Sequence, residues 1–284
     1  MDKMKNGDVV SFEENWKDRN ESCYVHWTRS EPVNQIQLAF RNHWNLLCEL
    51  MEDTSFNKGT RALEVGCGRG SLSCYFSDAG YECTLLDISE DVINRARAIF
   101  QEHNLKAKFE VGDAEKLPFD DKSFDIVFSI GLLEHFGDCE PLIREQVRVL
   151  DDGGLLFCYV VPEYSDNVQK KYEWINEILK GYVKDSTEQT HQKLPVWRST
   201  VSSRDILFHL EKHGLGNVKA SGVYPLPMIS HSIEFPFTLM PEESEKALVR
   251  YLTKMLEENG RKTGKHPWLC EEGYGQAFAM WGYK

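Results

Sequence analysis

No stretch of this chain approaches the ~20 consecutive apolar residues that a membrane span needs. No C-x-x-C pair occurs among its 8 cysteines, so zinc-ribbon and thioredoxin-type readings lack support. No basic stripe occurs either: 33 Lys and Arg stand against 45 Asp and Glu, for a formal charge of -12. That balance argues against a polyanionic partner such as DNA or RNA. Met1 to Val10 carries no apolar core of the kind a secretory signal requires. The expectation is a soluble, cytoplasmic protein without a membrane span. Its cysteines, Cys67, Cys74, Cys83 and Cys158 among them, then read as small apolar fillers in a reducing compartment.

What the chain does contain is concentrated in Leu63 to Gly70. Three glycines, Gly66, Gly68 and Gly70, alternate in a turn between a buried strand and a helix. A side chain at any of them would stand between backbone and ligand, or demand a strained turn. Asp87 follows at the end of a second apolar strand, placed to take both hydroxyls of a ribose. A third strand, Ala107 to Val111, runs into Gly112-Asp113-Ala114, which offers a second acid near an adenine amino group. The spacing G-x-G-x-G differs from the G-x-G-x-x-G of dinucleotide sites. Glu64 just before it would repel a pyrophosphate and suits a ligand carrying an ammonium group.

With the run Gly112 to Phe119 and then Ser123-Phe124-Asp125-Ile126-Val127, these residues resemble the class I S-adenosylmethionine-dependent methyltransferases. Within that family the run is most similar to the branch that includes ubiquinone- and menaquinone-pathway enzymes. The resemblance covers residues 58 to 162. It implies a Rossmann-like α/β fold, with a seven-stranded, mainly parallel sheet and helices on both faces. It also implies S-adenosyl-L-methionine as methyl donor and S-adenosyl-L-homocysteine as product. Glu64 is then expected to face the methionine ammonium, with Gly66, Cys67, Gly68 and Gly70 forming the cofactor loop. Asp87 would hold the ribose, Ile88 would lie on the adenine face, and Gly112, Asp113 and Ala114 would form the adenine pocket. The backbone of Ser129 and Ile130 would pass the methionine part. Leu133-Glu134-His135 falls at the mouth of the active site in many relatives. Glu134 and His135 are the catalytic candidates, His135 as general base or, alternatively, as a histidine that only holds the loop. In the quinone-pathway enzymes a further acid, linked to metal binding, precedes this segment. Here that place is Gly131, so no metal is expected.

The remaining chain divides into residues 1–57, read as a helical cap or lid, and residues 58–284, the methyltransferase domain. Glu31-Pro32 marks the expected helix start in the first part, which could equally be an extension packed on the sheet. Helices are expected from Ser71 to Gly80, from Ser89, over Glu140–Leu150, Asn167–Gly181 and Ser203–His213. Strands four and five are expected at Phe124–Ile130 and Leu155–Val161, with a closing antiparallel pair at Gly216–Tyr224 and Tyr274–Tyr283. An insertion over residues 225–273, with a helix at Glu242–Asn259, is long enough to shape a substrate pocket or a homodimer contact. Trp16, Trp27, Trp44, Trp197 and Trp268 read as core residues or as parts of an aromatic cage. The expected activity is methylation of a small organic metabolite at O, N, S or C. The alternatives are methylation of a protein or tRNA, and a non-catalytic cofactor-binding protein.

Overall fold

The computed structural model describes residues 26–163, 197–224, 241–275 and 277–284. Trp16, the helix expected over 167–181 and residues 225–240 of the insertion lie outside them. Strands β1 (Arg61–Val65), β2 (Glu82–Asp87), β3 (Ala107–Val111), β4 (Phe124–Ile130), β5 (Leu150–Val160), β6 (Gly216–Val223), β7 (Leu269–Cys270) and β8 (Ala277–Tyr283) form one sheet. Their order is β3-β2-β1-β4-β5-β8-β6-β7, so eight strands replace the expected seven. The added strand is the two-residue β7, which pairs with Gly222 and Val223 of β6; two residues show no periodicity in a sequence. β1 to β5 are parallel, while β8 runs antiparallel to both β5 and β6. The chain winds outward from β1 in one direction and from β4 in the other. The crevice between their carboxyl ends is where such sheets bind ligands.

Alternation along the strands separates two cores. Ala62, Ile126, Phe128, Leu155, Phe157, Tyr159, Ala279 and Trp281 face one side, and Leu63, Val127, Leu156, Cys158, Val160 and Met280 the other. Helices α1 (Gln35–Met51), α2 (Ser71–Ala79), α3 (Glu90–Glu102) and α6 (Glu242–Thr263) cover the first face. Helices α4 (Glu140–Val149) and α5 (Ser203–Lys212) cover the second. The ends of α2 and α3 follow local signals. Gly80 closes α2 in the left-handed region at φ 95°, and the Ser89 hydroxyl accepts from the Val92 N–H to open α3.

Three boundaries differ from expectation. α1 opens at Gln35, because the Asn34 side chain accepts the Gln37 N–H at 2.9 Å and outcompetes Glu31-Pro32 as a cap. β5 begins at Leu150, where Asp151 to Gly154 bulge between two stretches of pairing with β4. α6 continues past Asn259 to Thr263: Gly260 is a helix-interior glycine against Pro267, and the left-handed cap is Gly264.

The described part of residues 1–57 is a layer of the domain. α1 places Leu38, Leu46, Leu47 and Met51 in the same cluster as the sheet face, and the Tyr283 hydroxyl donates to the Leu50 carbonyl at 2.7 Å. The insertion is joined to it. Glu245 on α6 accepts from the Gln35 N–H and side-chain amide at 2.9 and 3.0 Å, with Gln35 0% and Glu245 2% exposed.

Candidate active site

The glycine loop hangs from β2: the N–H groups of Gly66 and Cys67 donate to the Leu86 carbonyl at 2.8 and 3.0 Å. All three glycines have left-handed φ, 68°, 52° and 67°, but only one of them borders open space. A Cβ on Gly66 would lie 2.7 Å from a Leu132 methyl and one on Gly70 2.3 Å from a Leu85 methyl, whereas one on Gly68 would meet nothing within 4 Å. The expectation that all three keep side chains away from a ligand therefore narrows to Gly68. The other two make room for the protein's own packing.

Asp87 sets the far wall. Its Oδ2 accepts the Gly68 N–H and its Oδ1 the Ser89 N–H, both at 3.1 Å, so the carboxylate braces the loop. Next to it Ile88 and Val111 are 50% and 51% exposed, an apolar pair at the ends of β2 and β3. Gly112 donates its N–H to the Asp87 carbonyl at 2.9 Å. Asp113 is exposed, with Oδ1 capping the Glu115 N–H at 2.9 Å, and Ala114 is buried behind it.

Glu64 lies beneath the loop instead of at its surface. Its Oε2 accepts from the Ser73 hydroxyl at 2.5 Å and the Ser73 N–H at 3.2 Å, and burial pushes its carboxyl up to about 8 against these bonds. Cys67 is buried in the loop, and its thiol is held far above the usual range by burial. The Ser129 hydroxyl points to Cys158 Sγ at 3.5 Å, and Ile130 is half-buried at the end of β4.

Beyond β4, Gly131 turns at φ 69° into a single helical turn, Leu133–His135. The segment Trp197–Ser199 crosses here outside any helix or strand. The Ser199 N–H donates to the Glu134 carbonyl at 2.7 Å, the Glu163 N–H to the Ser199 carbonyl at 2.9 Å, and His135 Nδ1 lies 2.8 Å from the Trp197 carbonyl. That last contact makes Nδ1 a donor. Burial together with nearby Arg198 pushes the imidazole down to about 3. Of the two expected roles, general base or loop-holding histidine, the described geometry shows the Nδ1 contact that anchors the 197–199 strap. Trp197-Arg198 was the available signal for this strap, an aromatic beside a cation in an otherwise polar run.

Among the described residues the tryptophans do not converge on a cage. Trp27 packs edge-on against Tyr75 and His103, and Trp44 stacks on Tyr75. Trp268 is fully buried against Tyr159 and His43, and Trp197 is 47% exposed on the strap. His43 was not foreseen. It is 3% exposed among Phe40, Phe157, Tyr159 and Trp268, and burial lowers it to about 3, so it is neutral.

Residues 63–158 match the family described as Methyltransferase domain. The chain is 28% identical over 225 residues to tocopherol O-methyltransferase, chloroplastic, from Arabidopsis thaliana, covering 74% of this chain and 61% of that protein. To norajmaline N-methyltransferase from Rauvolfia serpentina it is 35% identical over 143 residues, covering 49% and 47%. The chain thus spans 61% or less of the length of these two relatives. A putative sarcosine dimethylglycine methyltransferase from Galdieria sulphuraria shares the fold, with a TM-score of 0.57 at 16% identity and 98% of each chain covered. Residues 63–158, which hold the glycine loop and Asp87, thus match the Methyltransferase domain family, and the strand order around them is that of an open, doubly wound α/β sheet.

Proposed function

We propose that this protein transfers a methyl group from S-adenosylmethionine to a small organic metabolite and releases S-adenosylhomocysteine. The observation that carries this reading is the joint placement of Gly68, Asp87, Ile88 and Val111. The space a Cβ would fill at Gly68 is open, a carboxylate borders it, and two exposed aliphatic side chains follow on one side. Backbone approach, hydroxyl recognition and an apolar face for a flat base are what an adenosine moiety requires. S-adenosylmethionine supplies a methyl group already activated by the sulfonium charge. The chain's own part is then to align the acceptor and exclude water from the crevice. The relatives' names, a tocopherol O-methyltransferase and a norajmaline N-methyltransferase, support a small acceptor, as does the charge of -12.

Two measurements test this reading. A charge-assisted hydrogen bond contributes ~1.5–3 kcal/mol, so Asp87→Ala is expected to weaken S-adenosylhomocysteine binding by roughly ten- to a hundredfold in calorimetry. Unchanged affinity would remove Asp87 from the site.

The second concerns Glu64. Its folded pKa of about 8 lies above the ordinary 4.5. The unfolded chain therefore loses this proton first, and the stability contributed below 4.5 declines as pH rises toward 8. A ligand ammonium near Glu64 favours the ionised form and draws the proton off. Affinity for S-adenosylhomocysteine is expected to rise between pH 6 and 8, by at most about tenfold per unit, with proton release on binding. Calorimetry in buffers of different ionisation enthalpy reads that release, and Glu64→Gln should abolish it. Release that persists in Glu64→Gln would assign the proton elsewhere.

A further inference from the structure

Glu134 is 1% exposed at the carboxyl end of the sheet, directly beyond β4. Its two oxygens are treated differently. Oε1 accepts the Val161 N–H at 3.1 Å, while Oε2 is buried and has no hydrogen-bond donor. Gly131 turns in the left-handed region beside the carboxylate, and a Cβ there would stand in ordinary contact with Oε1 at 3.6 Å and meet nothing nearer. Arg198 on the strap lies close enough to favour the ionised form, yet no ion pair joins the two among the described residues. Arg198 Nε is itself buried without a partner. A carboxylate kept only to hold Val161 would need one oxygen, and an amide would serve as well. A buried acceptor atom left without a donor costs ~1–3 kcal/mol and calls for an explanation. At the mouth of a methyl-transfer crevice, the explanation is a donor that arrives with the ligand.

We propose that Glu134 Oε2 receives the acceptor's proton, and hence that the methylated atom is a hydroxyl oxygen or an amine nitrogen. This assignment rests on the methyl-transfer reading above. In the step, the acceptor's O–H or N–H bond breaks, and its proton forms the new bond to Oε2. The acceptor's electron pair takes up the methyl group, and the pair of the broken sulfur–carbon bond remains on sulfur. Thiols and carbon nucleophiles do not fit the same oxygen. A thiol is a weak donor that ionises unaided near 8.5, and an alkene or aromatic carbon presents no donor at all.

The surroundings suit the role. Burial raises the carboxyl to about 7, against the pull of Arg198, which is near the value at which a base is both available and effective. The other titratable groups facing it are His135 on its own turn, neutral and engaged with the Trp197 carbonyl, and the Cys158 thiol on β5, raised by burial to about 12. Neither titrates in the range where Glu134 does.

The test follows the fate of the methyl group and the carboxyl separately. The full chain is incubated with methyl-labelled S-adenosylmethionine and a panel of phenols, alcohols, amines, thiols and activated carbon acids. S-adenosylhomocysteine affinity is measured in parallel on the wild type and on Glu134→Gln, which keeps the bond to Val161. The expected result is an ether or N-methyl product. Turnover should fall roughly a hundredfold or more in Glu134→Gln, with cofactor affinity unchanged and partial recovery in Glu134→Asp. The acid limb of the wild-type rate near pH 7 should vanish, and the infrared band of a protonated carboxyl that titrates there should be missing from Glu134→Gln. An S- or C-methyl product, no product despite intact cofactor binding, or an unchanged acid limb in Glu134→Gln would each overturn the assignment. Loss of cofactor binding in the wild type would instead overturn the methyl-transfer reading beneath it.

Discussion

Gly70→Ala is expected to lower the unfolding free energy by roughly 2–5 kcal/mol, while Gly68→Ala two positions earlier lowers it by only about 1 kcal/mol. Both glycines have left-handed φ, 67° and 52°, so each substitution carries the backbone penalty of ~1–2 kcal/mol. At Gly70 the new methyl group also lands 2.3 Å from a Leu85 methyl and 3.2 Å from the Phe100 ring. Overpacking of that kind adds ~1–3 kcal/mol. At Gly68 it meets nothing within 4 Å, and the reduced entropy of the unfolded chain offsets part of the strain. The ligand effect should run the other way, because the Gly68 methyl group occupies the space assigned to the cofactor. Urea unfolding and S-adenosylhomocysteine calorimetry on both variants check the inversion. Equal stability losses, or unimpaired binding by Gly68→Ala, would show that the loop's open side is not the cofactor's.

Trp268→Ala should be at least as costly, at about 3–5 kcal/mol. Trp268 belongs to the insertion expected to shape a substrate pocket or a homodimer contact, but its ring is 0% exposed. It stacks on Tyr159 at 5.9 Å and 12°, and meets the His43 ring at 4.2 Å. Val249, Leu252 and Leu256 of α6 join the same core cluster. Against a total stability of ~5–15 kcal/mol, the truncation should shift thermal unfolding by several degrees. Removing residues 241–273 altogether should leave no folded sheet face. A Trp268→Ala protein that melts with the wild type would return this segment to the role of a detachable cover.

These expectations also mark where the sequence was legible. Ser89, Gly80 and the glycine loop act through bonds to residues a few positions away or through their own φ, so their signals are local. Asp87 was readable because the end of an apolar strand fixes where its carboxylate emerges. The strap at Trp197–Ser199 was not, because the Glu134 carbonyl, the Glu163 N–H and the His135 ring hold it by its own backbone groups, and backbone partners leave no trace in composition. His135 shows the same limit. Its chemistry as a side chain suggests a base, whereas its ring nitrogen is engaged by the strap and burial lowers its affinity for a proton.

By itself the sequence determined the βαβ series from Arg61 to Val160, its alternating faces, and the placement of the glycine loop and Asp87 at the carboxyl ends of β1 and β2. Those features follow from period-2 burial, caps and left-handed glycines, all of which act within a few residues. Only the tertiary structure decided that α1 and α6 are layers of the core, joined through Gln35 and Glu245 across 210 positions. It also decided that Gly66 and Gly70 yield to Leu132 and Leu85, and that Glu134 keeps one oxygen without a donor. Each of these depends on which distant side chain arrives beside a given atom, and burial then sets that atom's charge and available bonds.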